Sequence, residues 1–481
     1  MGEIELADVA LGDPFVRKSA GRGGWYSYRD NVLWIEGQEV QPRLVGHEFT
    51  HFLQHCSTPY GFFLDELNMR QMNLSTSLLS ELSGTCLTPV YRWARETLAG
   101  GARSSFSTGL SAELVSAFVK PWSQRVQLEQ VFEGRDCVSV RETDQASAVR
   151  LTEALEGTND GVGDLDVPFG NGVKADKGRA LPVVEGTSFQ GSVVEGCPKV
   201  TWWDGGSRPV GAWHVAETFA QLGEGFTGED VDRLGQEYLT LFPLAIMAYG
   251  TERLDDRDAT WKPVAPTCMV LADLALFTPV GAVYKRLRPP GSTWGDIHPG
   301  YRFLAALEVV KSIGGWVGEL TEGEHLAAEI CSRVGWPPPA AFLELGASLR
   351  SERFARHRDA CRLRQSDLYC FYRSSSYKEG SRCGEFLEKH FPIVRHPAHA
   401  QTIVWPDNPT PVIRDCFLAR LCWYVMGGNT PLHRELLLPD DIWYDQLYDN
   451  VSTRDEMIDL VLAKRPWASF ERFRWLGENG T

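Results

Sequence analysis

The stretch His47-Glu48-Phe49-Thr50-His51 spells H-E-x-x-H, and the fold has to be built around it. On an α-helix, His47 and His51 lie one turn apart on a single face, so both imidazoles reach one metal ion. Glu48 sits about 100° around the helix from His47, where its carboxylate can take a proton from a water. The surroundings predict that helix. Gln41-Pro42 stands just upstream, with proline suited to a first turn. Leu44, Val45, Phe49, Phe52 and Leu53 supply apolar residues at mixed helical spacings, as in a helix buried on most sides. Ser57-Thr58-Pro59-Tyr60-Gly61 ends the run as a turn. Upstream, Asn31-Val32-Leu33-Trp34-Ile35-Glu36-Gly37 reads as a strand followed by a turn. A strand beside the metal helix offers an edge on which an extended peptide can pair. Polar side chains in this number need a reason to be buried, and a metal supplies one.

Zn²⁺ held by two imidazoles and a carboxylate keeps a position open for water and lowers its pKa to about 7. Beside a general base, that is the machinery of amide hydrolysis. The third ligand has several candidates. His55 continues the series by one more turn but drifts about another 40° around the helix, and no glycine bends the chain between His51 and Gly61. Glu66 follows the Pro59–Gly61 turn and stands near the height of His51 if the two helices pair antiparallel. Glu81 overshoots on the same segment. More distant, Gly211-Ala212-Trp213-His214-Val215-Ala216-Glu217-Thr218-Phe219-Ala220-Gln221 reads as the start of a helix with an E-x-x-A core at Glu217.

In these residues the chain resembles the gluzincin branch of the zincin metallopeptidases. The third ligand there is a Glu on a separate helix, often with a small residue three positions later. The resemblance implies a metal set of His47, His51 and Glu217, with Glu66 as fallback and Glu48 as base. Ala220 fits, because a bulky side chain one turn from the ligand would hold the two helices apart. His51-Phe52-Leu53-Gln54 extends the likeness to H-E-[FY]-x-H-x-x-Q. The resemblance also implies a Tyr, His or Arg that stabilises a tetrahedral oxyanion, and His298, Tyr301 and Arg302 are the candidates. His214, three residues before Glu217, either supports the site from behind or packs at the helix start. Zincin-like folds host other chemistry too, so the likeness implies a metal site more firmly than a reaction.

Composition narrows the setting. The 481 residues, 43% hydrophobic and 11% aromatic, are those of a globular chain. A formal net charge of −15 argues against nucleic acid or an anionic membrane as the main partner and leaves a peptide or small-molecule substrate. Met1-Gly2-Glu3-Ile4-Glu5 opens acidic, without a signal pattern, and no apolar run reaches the roughly 18 residues of a membrane span. Eleven cysteines without a C-x-x-C pair read as reduced thiols, so a cytoplasmic protein is expected. His396-Pro397-Ala398-His399 and Leu254-Asp255-Asp256-Arg257-Asp258 read as loops, and the tryptophans, Trp202, Trp203 and Trp213 among them, as core residues.

The fold class expected is α+β and predominantly helical, with short N-terminal strands and a zincin-like metal helix. Three zones divide it: 1–125 with the strands and the metal helix, 126–210 as a loop-rich β insertion, and 211–481 as a helical region that supplies Glu217. Arg125-Val126-Gln127-Leu128 and Pro198–Trp203 are the strands expected in the middle zone. The expected function is a zinc-dependent peptidase or amidase. One alternative is a biosynthetic metalloenzyme with Fe²⁺ in a two-histidine, one-carboxylate oxygenase site. A second is an interaction protein stabilised by a structural metal.

Overall fold

Pro42 opens the first helix, α1, which runs to Ser57 and carries the whole H-E-x-x-H stretch. The computed structural model describes residues 24–27, 32–36, 42–67, 128, 131–134, 148–150, 152–153, 156, 174, 190–194, 196–201, 207–223, 240–250, 257–318, 322–351, 354–366, 393–396 and 401–404. These are predominantly helical. Strands β1 (Gly24–Ser27) and β2 (Val32–Glu36) precede α1 as an antiparallel pair, with Gly24 opposite Ile35 and Ser27 opposite Val32.

A small antiparallel sheet follows, β3 (Gln190–Val194), β4 (Cys197–Thr201) and β5 (Ser207–Pro209) in that order. It leads into α2 (Ala212–Gly223), which contains Glu217. Helices α3 (Leu241–Tyr249), α4 (Arg257–Leu276), α5 (Gly281–Tyr284), α6 (Pro299–Ile313), α7 (Gly323–Val334), α8 (Pro339–Ala347) and α9 (Ala355–Ser366) complete the helical body. A late hairpin, β6 (Ile393–His396) and β7 (Gln401–Val404), returns to the N-terminal strands.

That return alters the expectation for β2. The sheet order is β1-β2-β7-β6, and β7 pairs antiparallel with β2, Leu33 facing Val404 and Glu36 facing Gln401. Both edges of β2 are therefore occupied, and an incoming peptide has no open edge there to pair with. The sheet joins residues of the first and third sequence zones.

Helix α4 is the centre of the body. Every residue from Thr267 to Leu276 is buried, so this stretch is enclosed on all sides, as its run of Val, Leu, Ala and Met demands. It packs against α2, α3, α6 and α7, while α1 packs against α2, α9, β1 and β2. Each large apolar side chain buried in this way contributes about 1.5–3 kcal/mol relative to exposure. Among the described residues no single helix is long and apolar enough to cross a membrane; the apolar pair Val264–Leu276 and Gly281–Leu287 is bent by 91°. Cys56, Cys197, Cys268, Cys331 and Cys361 are buried thiols.

The C-terminal end of α1 is fastened from α9. Terminal helix carbonyls have no partner within their own helix, and here the Cys56 carbonyl accepts from His357 Nδ1 at 2.5 Å. The other ring nitrogen of His357 then accepts from the Tyr284 hydroxyl. Burial pushes the His357 imidazole down to about 4, which keeps it neutral for this double role. Arg364, also on α9, donates to Ser57 Oγ at 3.0 Å and to Asp273 of α4 at 2.5 Å.

Several local expectations change. Residues 57–61 interrupt the helix only at Thr58, and 59–67 are helical again. Thr58 Oγ1 accepts from the Gly61 N–H at 3.1 Å, an N-cap bond for the second segment. Leu128, expected at the end of a strand, is helical, and Arg125, Val126 and Gln127 lie outside the described residues. Glu156, in the zone expected to be loop-rich, is helical and buried. Arg257 and Asp258 open α4, and His396 ends β6. Glu81, Trp202, Trp203, Asp255, Asp256 and His399 lie outside the described residues.

The second segment folds back so tightly that a Cβ on Gly61 would lie 2.0 Å from the His55 carbonyl oxygen, a backbone atom that cannot swing aside. Gly61→Ala is therefore expected to destabilise the fold by about 3 kcal/mol or more, measurable by urea denaturation. A loss below about 0.5 kcal/mol would show that the two segments are not so close.

Candidate metal centre

Helix α2 owes its position to a close backbone approach at its start. A Cβ on Gly211 would meet the Glu133 carbonyl at 2.2 Å, so only glycine lets the chain pass there. The Gly211 N–H donates to His214 Nδ1 at 3.3 Å, and the His214 ring meets Trp213 edge-on with centroids 5.0 Å apart. Residue 214 thus satisfies a donor at the helix start. One turn on, Glu217 is 1% exposed, and Ala220 is buried beyond it.

Glu217 meets the two histidines of α1. His47 Nε2 lies 3.4 Å from Glu217 Oε2, and His51 Nε2 lies 3.4 Å from Glu217 Oε1. The two Nε2 atoms are 3.1 Å apart. Among the described residues this is the one group of three or more His, Cys, Asp or Glu side chains whose ligand atoms converge. Glu48 lies on the same helix and is also buried.

The donor set fits a metal on three counts. Imidazole nitrogens and a carboxylate are the ligands that Zn²⁺ and Fe²⁺ take. Tetrahedral bonds of about 2.0–2.1 Å place neighbouring donors about 3.3–3.4 Å apart, close to the separations found. Third, Glu217 Oε2 is buried without a hydrogen-bond partner, a costly state for a carboxylate oxygen unless a cation sits nearby. Burial by itself would raise the Glu217 carboxyl; the His51 and His47 imidazoles outweigh it and hold it well below the usual carboxylate range.

One supporting residue has no role in the sequence reading. Gln54 is 3% exposed, with Oε1 3.1 Å from His51 Nδ1 and Nε2 3.3 Å from the Ala216 carbonyl. It is the Q of H-E-[FY]-x-H-x-x-Q, three residues after His51 and so on the same helix face. That spacing was the available signal; the contact to α2 was not visible in the sequence.

The remaining site candidates are engaged elsewhere. His55 Nε2 pairs with Asp65 at 3.1 Å, and Asp65 also receives Arg356. The fallback ligand Glu66 accepts from the Ala282 N–H at 2.8 Å and the Val283 N–H at 3.3 Å, serving the first turn of α5. Beside it, Glu156 accepts from the Gly281 N–H and forms a two-point pair with Arg288. Glu66 therefore caps a helix and does not join the metal group, because the orphan N–H groups of α5 claim its oxygens.

The three oxyanion candidates are buried at the start of α6, His298 as its N-cap and Tyr301 and Arg302 in its first turn. His298 lies between two backbone groups: its Nε2 is 2.8 Å from the Val131 carbonyl, and its Nδ1 accepts from the Gly300 N–H at 3.1 Å. Both ring nitrogens are used, and burial pushes the imidazole down to about 4. Arg302 donates to the carbonyls of Asp296, Leu274 and Phe277, closing the C-terminal end of α4, and stacks 3.8 Å over Trp336. Tyr301 is 4% exposed and packs against the His298 ring. His298 and Arg302 thus hold backbone together.

Comparison with protein-family models, with curated proteins and with solved structures finds no match.

Two outcomes follow. The purified chain should hold about one transition-metal ion, and His47→Ala, His51→Ala or Glu217→Ala should each weaken binding by more than about 100-fold, beyond the usual effect of outer-shell changes. Glu66→Ala should leave it intact. Chelator competition measures this, and full occupancy in the His47→Ala/His51→Ala double variant would remove the site.

The second outcome concerns pH. Burial pushes the Glu66 carboxyl from 4.5 up to about 8, against the pull of the Ala282 and Val283 N–H groups. Between those values the folded chain holds a proton that the unfolded chain has released, so this group makes stability fall as pH rises from 4.5 to about 8. Glu66→Gln should flatten that slope in denaturation curves taken at pH 5 and pH 8. An unchanged slope would assign Glu66 an ordinary ionisation.

Proposed function

We propose that the chain is a metal-dependent hydrolase acting on an amide bond, of the peptidase or amidase kind, with zincin-like chemistry. The observation that carries this reading is the convergence of His47, His51 and Glu217 beside a second buried carboxylate, Glu48, on the ligand helix. A bound Zn²⁺ would supply Lewis acidity, polarising a carbonyl and acidifying water. His47 and His51 present Nε2 atoms from one helix face, and Glu217 offsets part of the ionic charge from the other helix.

Glu48 is the acid–base group. It takes the proton from the water that adds to the carbonyl carbon and returns a proton to the nitrogen as the C–N bond breaks, so no net proton is needed. The occupied edges of β2 argue against a substrate that binds by extending that sheet there. The site is also deep: the His47, His51 and Glu217 side chains are 8%, 13% and 1% exposed.

The same two-histidine, one-carboxylate set suits Fe²⁺ and oxygen chemistry, and metal analysis after anaerobic and aerobic purification separates the two. A purely structural zinc site is usually closed by four protein ligands, mostly Cys and His. The group here has three ligands and no cysteine among the described residues, which disfavours that reading.

Glu48→Gln is expected to retain the metal while turnover of an amide substrate, found by screening peptide and small-amide libraries, falls by about 100-fold or more. Near-normal turnover with metal bound would take the base role from Glu48 and the hydrolytic mechanism with it.

A further inference from the structure

The Gln54 amide joins the two halves of the metal group, and its orientation is fixed by its partners. Ala216 presents a backbone carbonyl, which can only accept, so the Gln54 NH₂ must face it; the separation is 3.3 Å. The other end of the amide, Oε1, is then turned to His51 Nδ1 at 3.1 Å. A carbonyl oxygen can only accept, so His51 must carry its proton on Nδ1. In a neutral ring this leaves Nε2 with its lone pair, directed toward His47 Nε2 at 3.1 Å and Glu217 Oε1 at 3.4 Å. Ala216 is the residue immediately before Glu217. The backbone that delivers the carboxylate therefore also sets, through one side chain, the protonation pattern of a histidine on the other helix.

We propose that Gln54 is the positioning residue of the metal centre: it locks His51 in the Nδ1–H tautomer and makes that lock conditional on the docking of α2. The inference rests on the metal reading above for its consequence, but the tautomer itself is a property of the protein with or without an ion. Gln54 is buried, so water does not compete freely for either end of the amide. Outer partners of ligating histidines fix ring orientation and tautomer in this way, and their loss typically lowers metal affinity by about 10–100-fold. A glutamine adds something that a carboxylate partner lacks. Its NH₂ end donates to α2 while its oxygen accepts from α1, so a single side chain reports the seating of one helix to the ligand on the other.

The test uses the full chain labelled with [¹⁵N]histidine, metal removed by chelation, at a pH where His51 is neutral. Long-range ¹H–¹⁵N spectra distinguish the two tautomers, and His51→Gln assigns the signal. Three chains are compared: wild type, Gln54→Met, which fills the space without either hydrogen bond, and Gln54→Glu, which keeps the acceptor and loses the donor. Wild type should show the Nδ1–H form. Gln54→Met should lose that preference and bind Zn²⁺ about 10–100-fold more weakly, whereas Gln54→Glu should keep the tautomer with a lower melting temperature.

A wild-type His51 protonated on Nε2 overturns the proposal, even if the metal binds. So does a Gln54→Met chain with unchanged tautomer and unchanged Zn²⁺ affinity. Should Gln54→Met fail to fold, the wild-type and Gln54→Glu spectra decide the tautomer. A wild-type chain with the Nδ1–H tautomer but no Zn²⁺ affinity supports the assignment of the proton and overturns the metal reading instead.

Discussion

Glu217 carries a carboxylate into the seam between α1 and α2, where water cannot solvate it, and two imidazole nitrogens point at it from the other side. An isolated charge in such a place is strongly destabilising, because the energy of hydration is lost and nothing replaces it. Two positive histidines would balance it only by placing like charges 3.1 Å apart. A neutral His51 with its proton on Nδ1 would turn its Nε2 lone pair on the carboxylate. A cation held among these atoms would relieve both conflicts, and its binding would then be coupled to the docking of α2 on α1.

The supporting structure reads sensibly from there. Helix α1 must be held rigid at its far end if its histidines are to stay in register, and α9 does this with His357 on the Cys56 carbonyl and Arg364 on Ser57. The Asp273–Arg364 pair extends the same fastening into α4. Burying a charge pair gives little net stability, but breaking one leaves an uncompensated charge; such pairs therefore resist rearrangement. Gly211 and Gly61 add rigidity of another kind, by allowing backbones to approach too closely for any side chain.

His298 and Arg302 illustrate why polar residues near a helix start are poor guides to chemistry. Both belong to residue types that can stabilise an oxyanion. In the folded chain they donate to backbone carbonyls: Val131 for His298, and Asp296, Leu274 and Phe277, from the two terminal guanidinium nitrogens, for Arg302. The same holds for Glu66, whose carboxylate answers the orphan N–H groups of a four-residue helix. Buried backbone groups must be paired, and that requirement competes with function for every nearby polar side chain.

Local information sufficed for α1, for the pair His47 and His51, and for the helix containing Glu217. Each rests on spacing within a dozen or so residues, where helical periodicity, a proline at the first turn and the i, i+4 relation act directly. The predominance of helix was legible for the same reason. Which glutamate meets the histidines was a different matter. Glu66 and Glu217 were both compatible with the sequence, and the choice depended on how α5, α2 and α1 pack across more than 150 residues of chain. The closure of β2 by β7 and the two-ended use of Gln54 likewise join residues far apart in sequence. Periodicity says which face of an element is buried, but not what lies against it. Only the tertiary structure decided those partners, because they are set by the mutual fit of whole helices and strands.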